Sequence, residues 1–197
     1  DVMFNNAGGP APTGSIIDLD MPAFRDAMDV LVTNVAQCMK HAAPVMKDQG
    51  SGSIINNGSV AGHQAGWSSS MTYSGAKAAV IHLTRCVAME LAESGVRVNS
   101  IPPGGVATGI FGKAFGLDED KAEQTVDMIK QAMANMQPIK RAGLPEDIAQ
   151  AAVFLASDDS TFISARDIVV DGGLLGGRQW SAHQQAMGAM KAAFDAI

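Results

Sequence analysis

The stretch "GSIINNGSVAGHQAGWSSSMTYSGAKAAVIHLTR", residues 52–85, passes from one periodicity to another within a short length of chain. Its opening, "GSIINNGS", is apolar at Ile54 and Ile55 and closed by Gly58 and Ser59, the pattern of a buried strand. From Tyr73 to Ser94, the residues Ala76, Val80, Leu83, Val87 and Leu91 fall on one helical face, and Gly95 stands where a helix takes a left-handed cap. Strand, loop and long helix in this order predict a βαβ-type unit and therefore a parallel sheet.

The flanking sequence repeats the alternation. "DVMF" is a short apolar strand stopped by Asn5, Asn6, Ala7 and Gly8. Asp20 is suited to cap a helix with Pro22 in its first turn, in which Phe24, Met28, Leu31, Val32, Val35 and Met39 recur at helical spacing. "VRVNSI" reads as a third strand, broken by Pro102-Pro103-Gly104-Gly105. A looser segment follows, with a helix from about 118 to 136. Pro145 opens the helix "LPEDIAQAAVFLAS", and "DIVVDGG" reads as a last strand. The expected fold is a Rossmann-like, doubly wound α/β sheet, with residues 1–177 in a single domain and 178–197 as a helical tail. In the tail Trp180, His183, Met187, Met190, Phe194 and Ile197 form one stripe, expected to dock on the body or on a neighbouring subunit.

Bulk properties narrow the function. The chain has 197 residues, of which 47% are hydrophobic and 17% charged, enough for one sizeable core. A net charge of −6 argues against nucleic acid or an anionic membrane surface as partner. No apolar run is long enough for a membrane span, no signal peptide is visible, and a cytoplasmic location is expected. Cys38 and Cys86 fall in predicted helices and are expected to be reduced, buried thiols. The four histidines have no ligand spacing, so no metal site is expected.

In open parallel sheets, ligands bind beyond the C-terminal strand ends. Asn5–Gly8, Ser59 and Pro103–Gly105 all lie at such ends, and Tyr73 begins the helix after one of them. Tyr73 and Lys77 are four apart, so they project from the same helical face. A tyrosine alone is a poor base at neutral pH, and a nearby ammonium favours the phenolate. With Ser59 to hydrogen-bond a substrate oxygen, the set suits proton exchange during interconversion of an alcohol and a carbonyl, a nicotinamide cofactor carrying the hydride. Taken alone, a Tyr-x-x-x-Lys pair is most often a plain amphipathic pair, and a serine at a strand end a turn residue. Ser68, Ser69 and Ser70 read as loop.

The ordered set "NNAG", "GSIINNGS", "YSGAK", "NSIPPGGVAT" and "RAGLPEDIAQAAVFLASDDSTFISARDIVVDGG" resembles the short-chain dehydrogenase/reductase family from Asp1 to about Gly173. The resemblance implies that Tyr73, Lys77 and Ser59 are catalytic, and that Asn34 in "LVTNVAQ" holds a water linked to the lysine. It further implies cofactor contacts from Asn6, Ala7, Gly8, Tyr73, Lys77, Pro103, Gly104, Val106 and Thr108, and a substrate lid over residues 109–136. The implied assembly is a homodimer or homotetramer. The implied substrate is a small alcohol or ketone, with a neutral alicyclic, ring-diol or steroid-like compound favoured by the apolar lid. The alternatives are a 3-oxoacyl thioester reductase of the same family, or a non-catalytic Rossmann-like fragment used for binding or assembly. Two local departures stand out. The Ser59–Tyr73 gap is one residue longer than the family's usual spacing, and Ala165 stands where glycine is common. The family's glycine-rich turn, and the residue that selects NAD or NADP, have no counterpart. The chain is therefore expected to be the catalytic half of a larger enzyme, with NAD and NADP both open.

Overall fold

The computed structural model describes residues 1–197. Three parallel strands, β1 (Val2–Asn5), β2 (Gly52–Asn57) and β3 (Val96–Ile101), stand side by side in that order, with Phe4 opposite Ile55 and Ile54 opposite Val98. Successive side chains of β2 point to opposite faces, and both faces are covered. Ile54 packs with Val35, Met39, Val80 and Leu91. Ile55 packs with Ile101 and Leu155 on the other side. The connections are α1 (Met21–Met28) and α2 (Asn34–Gln49) between β1 and β2, and α3 (Met71–Leu91) between β2 and β3.

The predicted caps are present. Asp20 accepts from Ala23 N at the start of α1, and Gly95 is left-handed at the end of the 3-10 turn that extends α3. Between α1 and α2 the helix widens into a π turn at Asp29–Thr33. Ser70 is more than a loop residue. Its Oγ accepts from Tyr73 N (3.1 Å) and donates to Pro12 O (2.6 Å), which fixes the first turn of α3 against the loop that follows β1.

Beyond β3 come α4 (Ile110–Ala114), α5 (Glu119–Gln124), α6 (Val126–Met133) and α7 (Pro145–Ala156). The single helix expected from about 118 is two, broken at Thr125, whose hydroxyl turns back onto Ala122 O (2.6 Å). The "DIVVDGG" segment does run parallel to the end of β3, joined through Ser100 N to Arg166 O and Gly104 N to Val170 O. It forms isolated bridges instead of a continuous strand. The donor between those two positions would be residue 102, and Pro102 has no N–H.

At the far end of α7, Ser53 Oγ donates to Leu155 O (2.7 Å). Arg97 reaches the Leu155 and Ser157 carbonyls and Ser160 Oγ. Cys38 and Cys86 are free but exposed, contrary to expectation, because Cys86 turns outward between the buried Thr84 and Ala88 of α3. The tail forms α8 (Trp180–Asp195), but it buries no residue, and Trp180 remains 73% exposed. The stripe does not dock on the body of its own chain.

Candidate active site

The strand ends, the first turns of α3 and the start of α7 enclose a cleft of ≈ 640 Å³. Ser59 enters it directly after β2, its Oγ accepting from Ala61 N. The loop that carries Ser59 lies flat on α3 because Gly62 has no side chain: a Cβ there would sit 2.7 Å from the Lys77 carbonyl carbon. Tyr73 and Lys77 face the same cleft, with the ammonium 5.7 Å from the centre of the phenol ring.

Lys77 is only 5% exposed and has one acceptor, the Asn57 carbonyl at 2.7 Å. Burial lowers its pKa to about 8. Burial also pushes the Tyr73 phenol up, and the Ser59 hydroxyl pulls it part of the way back. The expected lowering of Tyr73 by Lys77 is not among the causes of the shift; desolvation dominates, Ser59 opposes it, and the phenol holds its proton at neutral pH.

Asn6, Ala7 and Gly8 line the β1 side of the cleft, and Pro103, Gly104, Val106 and Thr108 line the β3 side. Ile110, Phe111, Pro145, Ile148 and Ala149 close it with an apolar wall. Asn34 is not brought to the cleft. It is exposed, and Leu31 stands on the cleft wall in its place, 1% exposed. The π turn explains the difference. Asn34 N bonds to Asp29 O five residues back, so each residue advances through a smaller angle, and three residues beyond Leu31 the chain has not come round to the same face.

Sequence reasoning also passed over Asn57. It reads as a strand residue, yet its side chain donates to Asn6 Oδ1 (2.8 Å), and its own Oδ1 is buried without a partner. The signal was the polarity of two consecutive asparagines ending an apolar strand. Asn56 has a different use, joining Asn5 and Thr84 inside the core.

A nicotinamide nucleotide half fits these groups. A Cβ at Gly9 would meet nothing within 4 Å, so the floor beside Gly8 is open, while Lys77 and the orphaned Asn57 Oδ1 offer polar partners.

Residues 1–175 match the family model described as enoyl-(acyl carrier protein) reductase. A short-chain type dehydrogenase/reductase from Mycobacterium ulcerans superposes with a TM-score of 0.75 at 34% identity, over 90% of this chain and 61% of that one. The chain belongs to the short-chain dehydrogenase/reductase family. Among its short-chain dehydrogenase relatives, the cis-4-hydroxycyclohexanecarboxylate dehydrogenase of Sinomonas cyclohexanicum is 40% identical over 173 residues, 88% of this chain and 65% of that protein. The structure of ElxO with NADP bound has a TM-score of 0.78 at 28% identity, over 90% of this chain and 68% of that one. The chain spans less than two thirds of the length of the curated relatives it matches.

Proposed function

We propose that the protein is an NAD- or NADP-dependent oxidoreductase that interconverts a secondary alcohol and a ketone. The observation that carries this reading is the meeting of Ser59, Tyr73 and Lys77 in one cleft, between the two loops that contain Asn6–Gly8 and Pro103–Thr108. A nicotinamide dinucleotide, when bound, supplies or accepts the hydride at the substrate carbon. The chain's own residues handle the oxygen and its proton. Ser59 Oγ–H donates to the substrate oxygen, and Tyr73 gives its proton to that oxygen in reduction and takes it back in oxidation. With its pKa raised by burial, Tyr73 is ready as an acid at neutral pH. Oxidation needs the phenolate, which a positive charge beside the ring favours, and Lys77 in its ammonium form is such a charge.

The wall supports the substrate class. Phe111, Ile148 and Ala149 are apolar, and Lys77 is the single charged residue among those lining the cleft. A neutral alicyclic, ring-diol or steroid-like alcohol suits this lining. The name of the Sinomonas relative, a dehydrogenase of a hydroxycyclohexane acid, supports the ring part of that reading. The same reading makes the protein a homodimer or homotetramer. Support comes from the groove between α2 and α3, where Ala36, Ala43, Leu83 and Val87 are presented together.

The test is Tyr73→Phe. It deletes only the proton-transfer group, so turnover of a cyclohexanol-type substrate should fall at least about a thousandfold while nucleotide affinity stays within a few-fold. Activity within a few-fold of the parent excludes Tyr73 as the acid/base.

A further inference from the structure

Gln137 follows α6 and lies outside the cleft, yet it is 2% exposed and both ends of its amide are hydrogen-bonded. Its Oε1 accepts from Gly105 N (3.1 Å), and its Nε2 donates to Gly105 O (3.3 Å) and to Arg141 O (3.0 Å). One side chain thus holds both backbone polar groups of Gly105, inside the 103–108 loop, of which Pro103, Gly104, Val106 and Thr108 line the cleft. The loop is pressed onto it. A Cβ at Gly104 would stand 2.9 Å from Gln137 Oε1 and 2.7 Å from Asp171 Cα, so only glycine fits there. Met133, the last residue of α6, packs with Ala107 and Ala142, and its sulfur lies 3.2 Å from where a Gly105 Cβ would be. The end of the 109–136 segment and the 103–108 loop therefore form one packed body.

Nearby charges are already committed elsewhere. Arg141 pairs with Asp147 through both guanidinium nitrogens, and the Asp171 carboxylate accepts from Gly173 N and Leu175 N. The clamp on Gly105 is neutral and directional, and it depends on an amide that both accepts and donates.

We propose that Gln137 is a positioning residue that couples the 109–136 segment, on the substrate side of the cleft, to the 103–108 loop on its nucleotide side. This rests on the proposed function for the nucleotide. Binding at the loop is then transmitted through Gly105 and Gln137 to α6.

Two variants isolate the amide. Gln137→Met keeps the length and removes all three hydrogen bonds. Gln137→Glu keeps an acceptor for Gly105 N and turns the donor toward two carbonyls into a second acceptor. The readout is limited trypsin digestion at Lys113, Lys121 and Lys130, all in the segment, with and without saturating NADH or NADPH; fluorescence titration of the same nucleotide gives its affinity.

In the parent chain, nucleotide should slow cleavage about tenfold. In both variants, affinity should weaken by about tenfold, the scale of one or two lost neutral hydrogen bonds, and protection at saturation should fall to within about twofold. Melting without nucleotide separates lost stability from lost coupling, and Gln137→Ala replaces any variant that does not melt cooperatively. Equal protection in parent and variants at saturation overturns the coupling, as does a parent that binds nucleotide without protection. A parent that binds neither NADH nor NADPH overturns the proposed function itself, and the titration reads that separately.

Discussion

Replacing Lys77 with methionine should abolish turnover and at the same time make the fold more stable at neutral pH. The ammonium is buried with a single carbonyl for a partner, and its pKa falls from 10.5 to about 8. At about 1.4 kcal/mol per pH unit, that gap corresponds to roughly 3 kcal/mol spent on keeping a charge away from water. Methionine fills similar volume without the charge. It gives up one hydrogen bond to the Asn57 carbonyl, about 1 kcal/mol, so the net gain at pH 7 is about 2 kcal/mol. For a chain of this length that is a rise in Tm of roughly 5 °C.

The pH dependence has a definite sign. The native pKa lies below the unfolded one, so between about 8 and 10.5 the unfolded chain binds more protons and parent stability rises with pH. Below about 8 the full cost is present, and above 10.5 it is gone. Urea denaturation of parent and Lys77→Met at pH 7 and pH 10, without nucleotide, should give a gap that largely closes at the higher pH. A parent more stable than the variant at pH 7, or a gap that does not change with pH, refutes the reasoning.

Two further outcomes are expected. Asn34→Ala should leave kcat within about twofold and the pH–rate profile unmoved, because the π turn keeps Asn34 off the cleft; a loss near a hundredfold in steady-state assays excludes this placement. Ala165 is the single non-glycine residue with a positive φ, at 59°, so Ala165→Gly should raise stability by up to about 1 kcal/mol in urea titration, and a lowered midpoint contradicts the strain.

Where the sequence alone located an element correctly, the cause was a local rule. Asp20, Pro22, Gly95 and Pro145 mark helix ends through capping geometry that involves only a few neighbouring residues. Ile54 and Ile55 mark a strand covered on both faces because the side-chain period is two. The cleft was legible for the same reason: Asn5–Gly8, Ser59 and Pro103–Gly105 follow strand ends, and a parallel sheet brings such ends together. Asn34, taken from the family resemblance and not from periodicity, stands exposed and off the cleft lining just after the π turn, and nothing in "MDVLVTN" announces that turn. Cys86 failed because predicting a helix does not say which face of it is buried. Gln137 was invisible because its partners, Gly105 and Arg141, are backbone groups whose positions exist only in the folded chain. The Tyr73 pKa was misjudged by weighing one charge without the desolvation that accompanies a buried cleft.

The hydrogen bonds at the far end of α7 bear on the order of assembly. Its terminal carbonyls are held by Ser53, 102 residues upstream of Leu155, and by Arg97, 58 residues upstream. An isolated α7 would leave those carbonyls to water, and they find their partners only once β2 and β3 already stand side by side. Closure over such separations is slow compared with forming a helix or a short loop. The same helix contributes Pro145, Ile148 and Ala149 to the cleft. The apolar wall against which a substrate would rest is therefore among the last surfaces to come together. A chain caught with its sheet formed and α7 undocked has Tyr73 and Lys77 on their helix but no enclosed cleft in which the proposed proton chemistry would be shielded from water.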